Sequence, residues 1–412
     1  MIQDRPIDRK RVLVVTSTFP RWTDDTEPGF VFELSARLSE HFDICVLAPH
    51  TKGAKATETI GTIQIVRFRY FFEWGERLAY QGGILANLRH NRLLYLAVPL
   101  FLFFETISII RLLRTEKFDA IHAHWLIPQG LSVALAKLLH SVPCAVVTTA
   151  HGSDLHRLKG RLFSAIQRFV IRQTSVLTTV SPPMKIHAES LGGPTGKTQV
   201  ISMGVDTLNA FTPSPHSPRN PERLLFVGRL SREKGPEVVI RAMPLILQHF
   251  PNAVLEIVGQ GPDSHQLRRL MENLHLAQSI VFLGAIPNEQ LPEFYRHASF
   301  LVFPSTGEEG FGLVCAEALA CECPVVAADQ AACQELVIEH KTGLLFQSGD
   351  AEDLARKAIH LLASPTLRES LGKAGRELVS KKFEWCIIAD RFRTLIDETI
   401  LRGEGRETTH NA

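Results

Sequence analysis

Short runs of β-branched and aromatic residues alternate with longer helical patterns along almost the whole chain. They do so in two cycles separated by a stretch that cannot be regular structure. The first cycle predicts strands at 12–16, 44–48, 63–68, 120–123, 145–149, 176–180 and 199–203. The second predicts them at 224–227, 254–258, 281–283, 300–303, 325–328 and 344–346. Between the cycles, residues 206–221 carry Pro213, Pro215, Pro218 and Pro221 among Ser, Asn and Thr, the composition of a linker. Helical patterns at 351–363, 366–381 and 385–401 close the chain. The expected fold class is α/β, with two doubly wound Rossmann-like domains. Their bounds are 1–206 and 222–384, with a linker at 207–221 and a flexible polar tail at 403–412. In such folds ligands bind outside the carboxyl ends of the strands, so facing domains would gather function along one cleft.

Length and composition agree with this reading. A chain of 412 residues exceeds one ordinary core. Hydrophobic content of 45% with 21% charged residues is that of a globular protein, and a net charge of +2 gives no reason to expect nucleic acid as a partner. Seven cysteines without regular spacing do not form a disulfide framework. The N-terminus puts polar and charged residues ahead of a short strand-like run and reads as no signal peptide. A cytoplasmic location follows as an expectation.

The run LLYLAVPLFLFF at 93–104 is apolar throughout and is interrupted by Glu105. Twelve residues fall short of the roughly 20 a bilayer span needs. Arg89, Arg92, Arg111, Arg114 and Lys117 flank it. That pattern suits peripheral contact of 89–117 with anionic headgroups at the inner face of a membrane. The competing reading is a core helix kinked at Pro99.

The chemistry-bearing residues fall at predicted strand ends. EGFGLVCAE places Glu309 and Glu317 eight positions apart around a glycine-flanked turn into a helix. Gly310 and Gly312 let backbone N–H groups approach a phosphate at a helix start, and the carboxylates can accept from sugar hydroxyls. VGRLSREKG leaves the first strand of the second domain with Arg229 and Lys234, a fork and a point charge suited to a diphosphate. TAHGSD puts His151 and Asp154 at one strand end of the first domain, and HAHW puts His122, His124 and Trp125 at the neighbouring one. Three imidazoles without a cysteine or carboxylate to complete a compact set do not read as zinc. Cys315, Cys321, Cys323 and Cys333, with gaps of five, one and nine residues, read as small apolar fillers. In the loop FPRWTDDTEPGF, Gly29 would let backbone pass close to a phosphate. The absence of GxGxxG there counts against a dinucleotide-dependent dehydrogenase.

Taken in order, these segments resemble the family 4 retaining glycosyltransferases of GT-B fold. The resemblance extends over nearly the whole chain. EGFGLVCAEALACECPVVAAD at 309–329 is its most specific match, and VGRLSREKG, VGQGPD at 258–263, TAHGSD, HAHWLIPQG and FEW at 383–385 add agreement. The resemblance implies that Arg229 and Lys234 bind the diphosphate of a nucleotide sugar donor and Glu317 its ribose. Glu309 and the backbone of Gly310, Phe311, Gly312, Leu313 and Val314 would hold the transferred sugar and its phosphate. Gly261 would belong to the same donor pocket, His151 would touch the hexose, and Gly29 would lie by the phosphates. His122, His124 and Asp154 are left on the acceptor side. The helix from Trp385 would pack back on the first domain. Two departures stand out: Glu322 occupies a turn position where the family usually has glycine, and Ala331 with Ala332 replaces a Gly-Gly step. At the N-terminal loop, Pro28 replaces a further glycine.

The implied function is retaining hexosyl transfer from a nucleotide diphosphate sugar to a hydroxyl of a glycan or lipid-linked acceptor in cell-surface polysaccharide synthesis, with no metal or other cofactor. Two alternatives share the fold: a sugar-nucleotide 2-epimerase, and a binding subunit without catalysis. The glutamate motif favours transfer over epimerisation, and the intact set Glu309, Glu317, Arg229, Lys234 and His151 argues against a decayed site.

Overall fold

The structure is a computed structural model that describes residues 9–22, 25, 29–80, 82–140, 144–192, 196–214, 219–307, 309–330 and 333–410, the side chains of 403–410 excepted. Pro28, Ala331, Ala332, Pro215 and Pro218 lie outside the described residues. The chain divides into two compact units, Met1–Ser202 with Cys386–Ala412, and Met203–Trp385.

Unit 1 is built on a sheet of β1 (Arg11–Val15), β2 (Asp43–Pro49), β3 (Thr57–Ile60), β4 (Ile63–Phe68), β5 (Ala120–His124), β6 (Ala145–Ala150), β7 (Val176–Thr179) and β8 (Thr198–Val200). Their order is β3-β4-β2-β1-β5-β6-β7-β8, parallel except for the β3–β4 pair. Most strands are buried along their length because helices cover both faces, which is why they read as continuous apolar runs. The sequence reading missed β3. Its side chains are half-exposed to exposed, and it is an edge strand joined to β4 by the two-residue turn Gly61-Thr62. Leu13, Leu47, Phe68, Phe101, Ile109 and Ile121 share one core below this sheet.

The helix Ala97–Thr115 explains the apolar run. Helical residues continue without a break from Arg92 to Thr115, so by length and composition this segment is apolar and long enough to cross a membrane. Glu105 does not interrupt it, as the sequence suggested, but turns inward. It is fully buried, accepting from Ser132 Oγ at 2.6 Å and Gln129 Nε2 at 3.1 Å. Burial pushes its carboxyl up to about 7, opposed by those two hydrogen bonds. Since the native state then binds this proton more tightly than the unfolded chain, the stability contributed by Glu105 falls as pH rises from about 4.5 to 7 and is flat above. Glu105→Gln is expected to flatten that segment of the stability–pH curve. At pH 8 it should exceed the wild type by on the order of 2 kcal/mol in urea unfolding, and parallel curves for both proteins would refute the assignment.

Unit 2 carries β9 (Arg223–Val227), β10 (Val254–Val258), β11 (Ile280–Gly284), β12 (Phe300–Phe303), β13 (Val325–Ala328) and β14 (Gly343–Phe346), all parallel. The order β11-β10-β9-β12-β13-β14 reverses direction between β9 and β12. This is the doubly wound arrangement in which the crevice beside the first strand takes ligands. Leu224, Phe226, Ile257, Val302, Val326 and Phe346 belong to the core of this unit.

Residues 207–221, expected as a linker, fall within unit 2. Where described, they are fastened to unit 2: the Arg219 guanidinium donates to the carbonyls of Tyr295, Ala298 and Cys321, and Thr207 donates its N–H to Glu384 at 2.7 Å. Carbonyls at helix and strand ends need such donors, and sequence composition cannot show that they are supplied. The closing helix runs Trp385–His410, so the tail expected from Gly403 is helical through His410. Within unit 1, Phe392 of this helix faces the His122 ring at 5.2 Å, and Lys10 pairs with Asp397 at 2.7 Å. Glu322, at the turn position where the resembled family usually has glycine, holds φ +58 in the left-handed region, and its carbonyl is so close to Gly372 that a Cβ there would approach it to 2.1 Å. A non-glycine residue in that conformation costs about 1 kcal/mol.

Candidate active site

In unit 2 the loops leaving β9 and β12 meet at the strand-order reversal. The β9 loop turns through a short 3-10 segment, Arg232–Lys234, into the helix Pro236–His249. Gly235 makes that turn possible: it sits at φ +68, and a Cβ would come within 2.0 Å of the Pro304 carbonyl. The close approach presses the two loops together and delivers Lys234 to Glu309. The ammonium donates to both carboxylate oxygens, at 2.8 and 3.0 Å. Ser305 Oγ donates to Glu309 Oε1 at 2.5 Å, and its own carbonyl accepts from Gln330 Nε2 at 2.8 Å. Lysine and glutamate, 75 residues apart in sequence, thus form one half-buried, hydrogen-bonded charge pair.

Beyond Glu309 the chain enters the helix Leu313–Ala320 through Gly312, whose φ is +90. The first N–H groups of a helix have no partner within it and carry positive partial charge, which suits a phosphate oxygen. Gly310, Leu313 and Val314 are half-buried. Phe311 is instead buried against Phe383, with ring centroids 5.2 Å apart, and anchors the turn. Glu317 lies one turn into the helix and is mostly buried; its Oε2 accepts from Tyr295 OH at 2.8 Å. Burial raises its carboxyl to about 7, and the Tyr295 hydrogen bond pulls it back down. Tyr295 thus occupies one of the two carboxylate oxygens.

Arg229 is exposed at the end of β9. Gly261, in the loop after β10, is accounted for by packing: a Cβ there would meet the Leu230 carbonyl at 2.2 Å, and Leu230 N–H donates to Gln260 O at 3.0 Å. It clamps the β10 loop onto the β9 loop that carries Arg229 and Lys234. The four cysteines of this region are buried free thiols. Burial drives Cys315, Cys321 and Cys323 above the ordinary thiol range, which fits inert filler.

In unit 1 the strand order reverses between β1 and β5, and the loops after β1, β5 and β6 converge on His151. Its ring lies 4.7 Å from Trp125 and 5.1 Å from Phe30, centroid to centroid, and its Nε2 is 3.0 Å from His124 Nδ1. Burial pushes His151 down to about 3, so the imidazole is neutral at physiological pH and offers one donor and one acceptor. Gly29 caps the helix Phe30–Leu38 with an ordinary negative φ, and a Cβ there would meet nothing within 4 Å, so neither crowding nor backbone conformation requires glycine.

His122 and Asp154, expected on the acceptor side, face inward. His122 is buried under Phe392, with Nε2 2.8 Å from Thr149 Oγ1. The Asp154 carboxylate accepts three backbone N–H groups: Leu126 at 2.7 Å, Gly152 at 3.0 Å and His151 at 3.1 Å. Burial raises it to about 6 against those bonds. With both oxygens committed, Asp154 is a positioning residue that ties the β5 loop to the β6 loop and fixes the backbone of His151. His124 is buried too and meets His151 ring nitrogen to ring nitrogen. The three imidazoles stand together, yet among the described residues no cluster of three His, Cys, Asp or Glu side chains has the arrangement to hold a metal ion.

Sequence reasoning missed Ser305, Tyr295, Gln330 and Phe30. Ser305 carried a faint signal, a hydroxyl two residues past an apolar strand. Tyr295 and Phe30 carried none, because their importance comes from what they touch.

Comparison with known proteins bears on both units. Residues 30–208 match the family described as Glycosyltransferase Family 4, and residues 210–378 that described as Glycosyl transferases group 1. An uncharacterized glycosyltransferase of Methanocaldococcus jannaschii is 30% identical over 68% of this chain and 76% of its own length. The GDP-mannose-dependent alpha-(1-6)-phosphatidylinositol monomannoside mannosyltransferase of Mycolicibacterium smegmatis is 27% identical over 91% of this chain and 95% of its own. Among solved structures, sucrose-phosphate synthase from Thermosynechococcus elongatus superposes with a TM-score of 0.79 at 22% identity, over 96% of this chain and 100% of that one, which establishes the GT-B fold.

Proposed function

The chain belongs to the family 4 glycosyltransferases and is an enzyme of glycosyl transfer from a nucleotide sugar; from that premise we propose that it moves a hexosyl group, with retention of configuration, to a hydroxyl of a glycan or lipid-linked acceptor used in cell-surface polysaccharide synthesis. The observation that carries the reading is the Lys234–Glu309–Ser305 cluster at the strand-order reversal of unit 2. Breaking a glycosyl–phosphate bond puts negative charge on the departing diphosphate and positive character on the sugar ring, so the leaving group needs stabilisation first. Lys234 and Arg229 supply cations, and the Gly312 helix start supplies N–H donors. Glu309 holds the ammonium in place and offers an acceptor to sugar hydroxyls, while the remaining Glu317 oxygen takes the ribose. In unit 1, His151, neutral and held by His124, Trp125 and Phe30, offers a donor to a sugar hydroxyl.

Retention is what the family resemblance implies; the carboxylate nearest His151 in sequence is committed to backbone donors, which leaves no nucleophile there for a double displacement. A same-face substitution fits the remaining groups. The anomeric carbon–oxygen bond breaks with its electron pair going to the diphosphate, the acceptor oxygen bonds to the same face, and its proton passes to the departing phosphate oxygen. On this reading the step uses no metal, because Lys234, Arg229 and the helix start carry the charge of the leaving group. A cytoplasmic enzyme at the inner face of the membrane, meeting a lipid-linked acceptor, completes the reading.

A thermal-shift screen of nucleotide diphosphate sugars identifies the donor, since a ligand that binds only the folded state raises the melting temperature. NMR of the product is then expected to show the donor's own anomeric configuration. An inverted product would overturn retention, and an epimerised nucleotide sugar formed without acceptor would overturn transfer.

A further inference from the structure

We propose that unit 1 carries a two-part docking face for an anionic bilayer surface, formed by the outer stripe of the helix Ala97–Thr115 and by an aromatic loop at 71–74. The loop had no place in the sequence reading. Phe72 and Trp74 are 71% and 69% exposed, stacked on each other with ring planes 5° apart, and Phe71 leans edge-on against both. The loop follows Tyr70, whose ring lies 5.1 Å from the Phe101 ring on the inner side of the helix, so loop and helix are neighbours.

The helix divides its faces sharply. Phe101, Glu105 and Ile109 point into the core, whereas Leu96, at 77% exposure, and Phe103, at 58%, point outward with Leu100 and Phe104. Positions 96, 100, 103 and 104 share one side of a helix, and position 114, five turns beyond 96, continues the line. Along that side the apolar stretch therefore gives way to exposed Arg111 and Arg114, with exposed Lys117 just past the helix end and exposed Arg92 before its other end. A helix with one face locked into a protein core by a buried, hydrogen-bonded glutamate lies on a bilayer and does not cross it, despite its length. Its geometry matches the interface: apolar and aromatic side chains sink to the acyl boundary while cations at both ends meet headgroup phosphates. Charge complementarity selects an anionic lipid surface over a second copy of this chain, which would set the same cations against each other.

The docking face extends the reading of a membrane-borne acceptor, but its test uses no substrate, so either can fail alone. Full-length protein is sedimented with vesicles of phosphatidylcholine containing about a third phosphatidylglycerol, and with pure phosphatidylcholine, at low and high salt. Binding is expected on the anionic vesicles alone, weakening with salt. Phe72→Ser with Trp74→Ser, and separately Leu96→Ser with Phe103→Ser, are each expected to lower partitioning at least about tenfold, with the melting temperature unchanged because all four side chains are exposed. Brominated acyl chains should quench tryptophan fluorescence in the wild type and much less in Trp74→Phe, a readout of insertion that folding defects do not mimic. Wild type that stays in the supernatant with anionic vesicles at low salt overturns the proposal. So do surface variants that bind undiminished, and self-association that the Leu96→Ser, Phe103→Ser variant abolishes in the absence of lipid.

Discussion

Lys234→Ala is expected to lower kcat/KM by about 10² to 10³-fold, the loss typical of removing one group that stabilises charge developing on a leaving oxygen. The size follows from position. Lys234 is delivered to the site by the left-handed Gly235 turn and held by both oxygens of Glu309, so it is in place before the charge develops and needs no reorganisation then. Its pairing with Glu309 is half-exposed, and such a pair contributes only about 1 kcal/mol to folding, so the melting temperature should move little. Lys234→Arg would keep the charge but not the compact ammonium that bridges both carboxylate oxygens, and it should fall between the two. Steady-state kinetics with the donor found by thermal shift provide the check. A Lys234→Ala enzyme with the wild-type rate would remove lysine from the mechanism. Loss of turnover with full loss of folding would reassign it to structure.

Much of this arrangement was legible in the sequence, and the exceptions have physical causes. Strand positions were readable because strands buried on both faces must be continuously apolar: expected strands at 254–258 and 325–328 coincide with β10 and β13, while the half-exposed edge strand β3 has no such signature. The motif residues around Glu309 were readable because glycines at a strand end mark where backbone must turn tightly. The orientation of a polar side chain was not. Asp154 two residues past a glycine looks the same on paper whether it reaches out to a ligand or folds back onto three amides, and only the neighbouring β5 loop, which supplies Leu126, decides it. Glu105 taught the same lesson in reverse: a charge that seemed to break an apolar run is buried because Ser132 and Gln129, on another segment, satisfy it. Tyr295 and Ser305, which orient the two glutamates, depend wholly on tertiary contacts. The C-terminal helix outran its expected end because the glycines at 403 and 405 lower helix propensity without forbidding helix.

Asp154 leads to the second large effect, this time on stability and activity together. Asp154→Ala leaves the N–H groups of Leu126, His151 and Gly152 buried without their acceptor, and each such orphan costs about 1–3 kcal/mol. Partial relaxation of the two loops should bring the total to about 3–5 kcal/mol, a large share of the stability of an ordinary domain. Asp154→Asn retains one oxygen, which can still serve one or two of the donors, and should recover roughly half of the loss. The raised carboxyl, at about 6, adds a sign to this comparison. Burying the charge already costs the wild type stability above that pH, so the neutral amide should compare best with the wild type near neutrality and worst near pH 4, where both side chains are uncharged and only geometry separates them. Urea unfolding of all three proteins, with amide exchange at Leu126, His151 and Gly152, measures both the energy and its location. If Asp154 acts by holding the His151 backbone, the alanine variant must also lose turnover at temperatures where it is fully folded, with kcat falling more than KM changes. Unchanged stability with unchanged exchange at the three amides would show that the carboxylate does not hold the loops. It would then be free to act on an acceptor, as its place in the sequence first suggested.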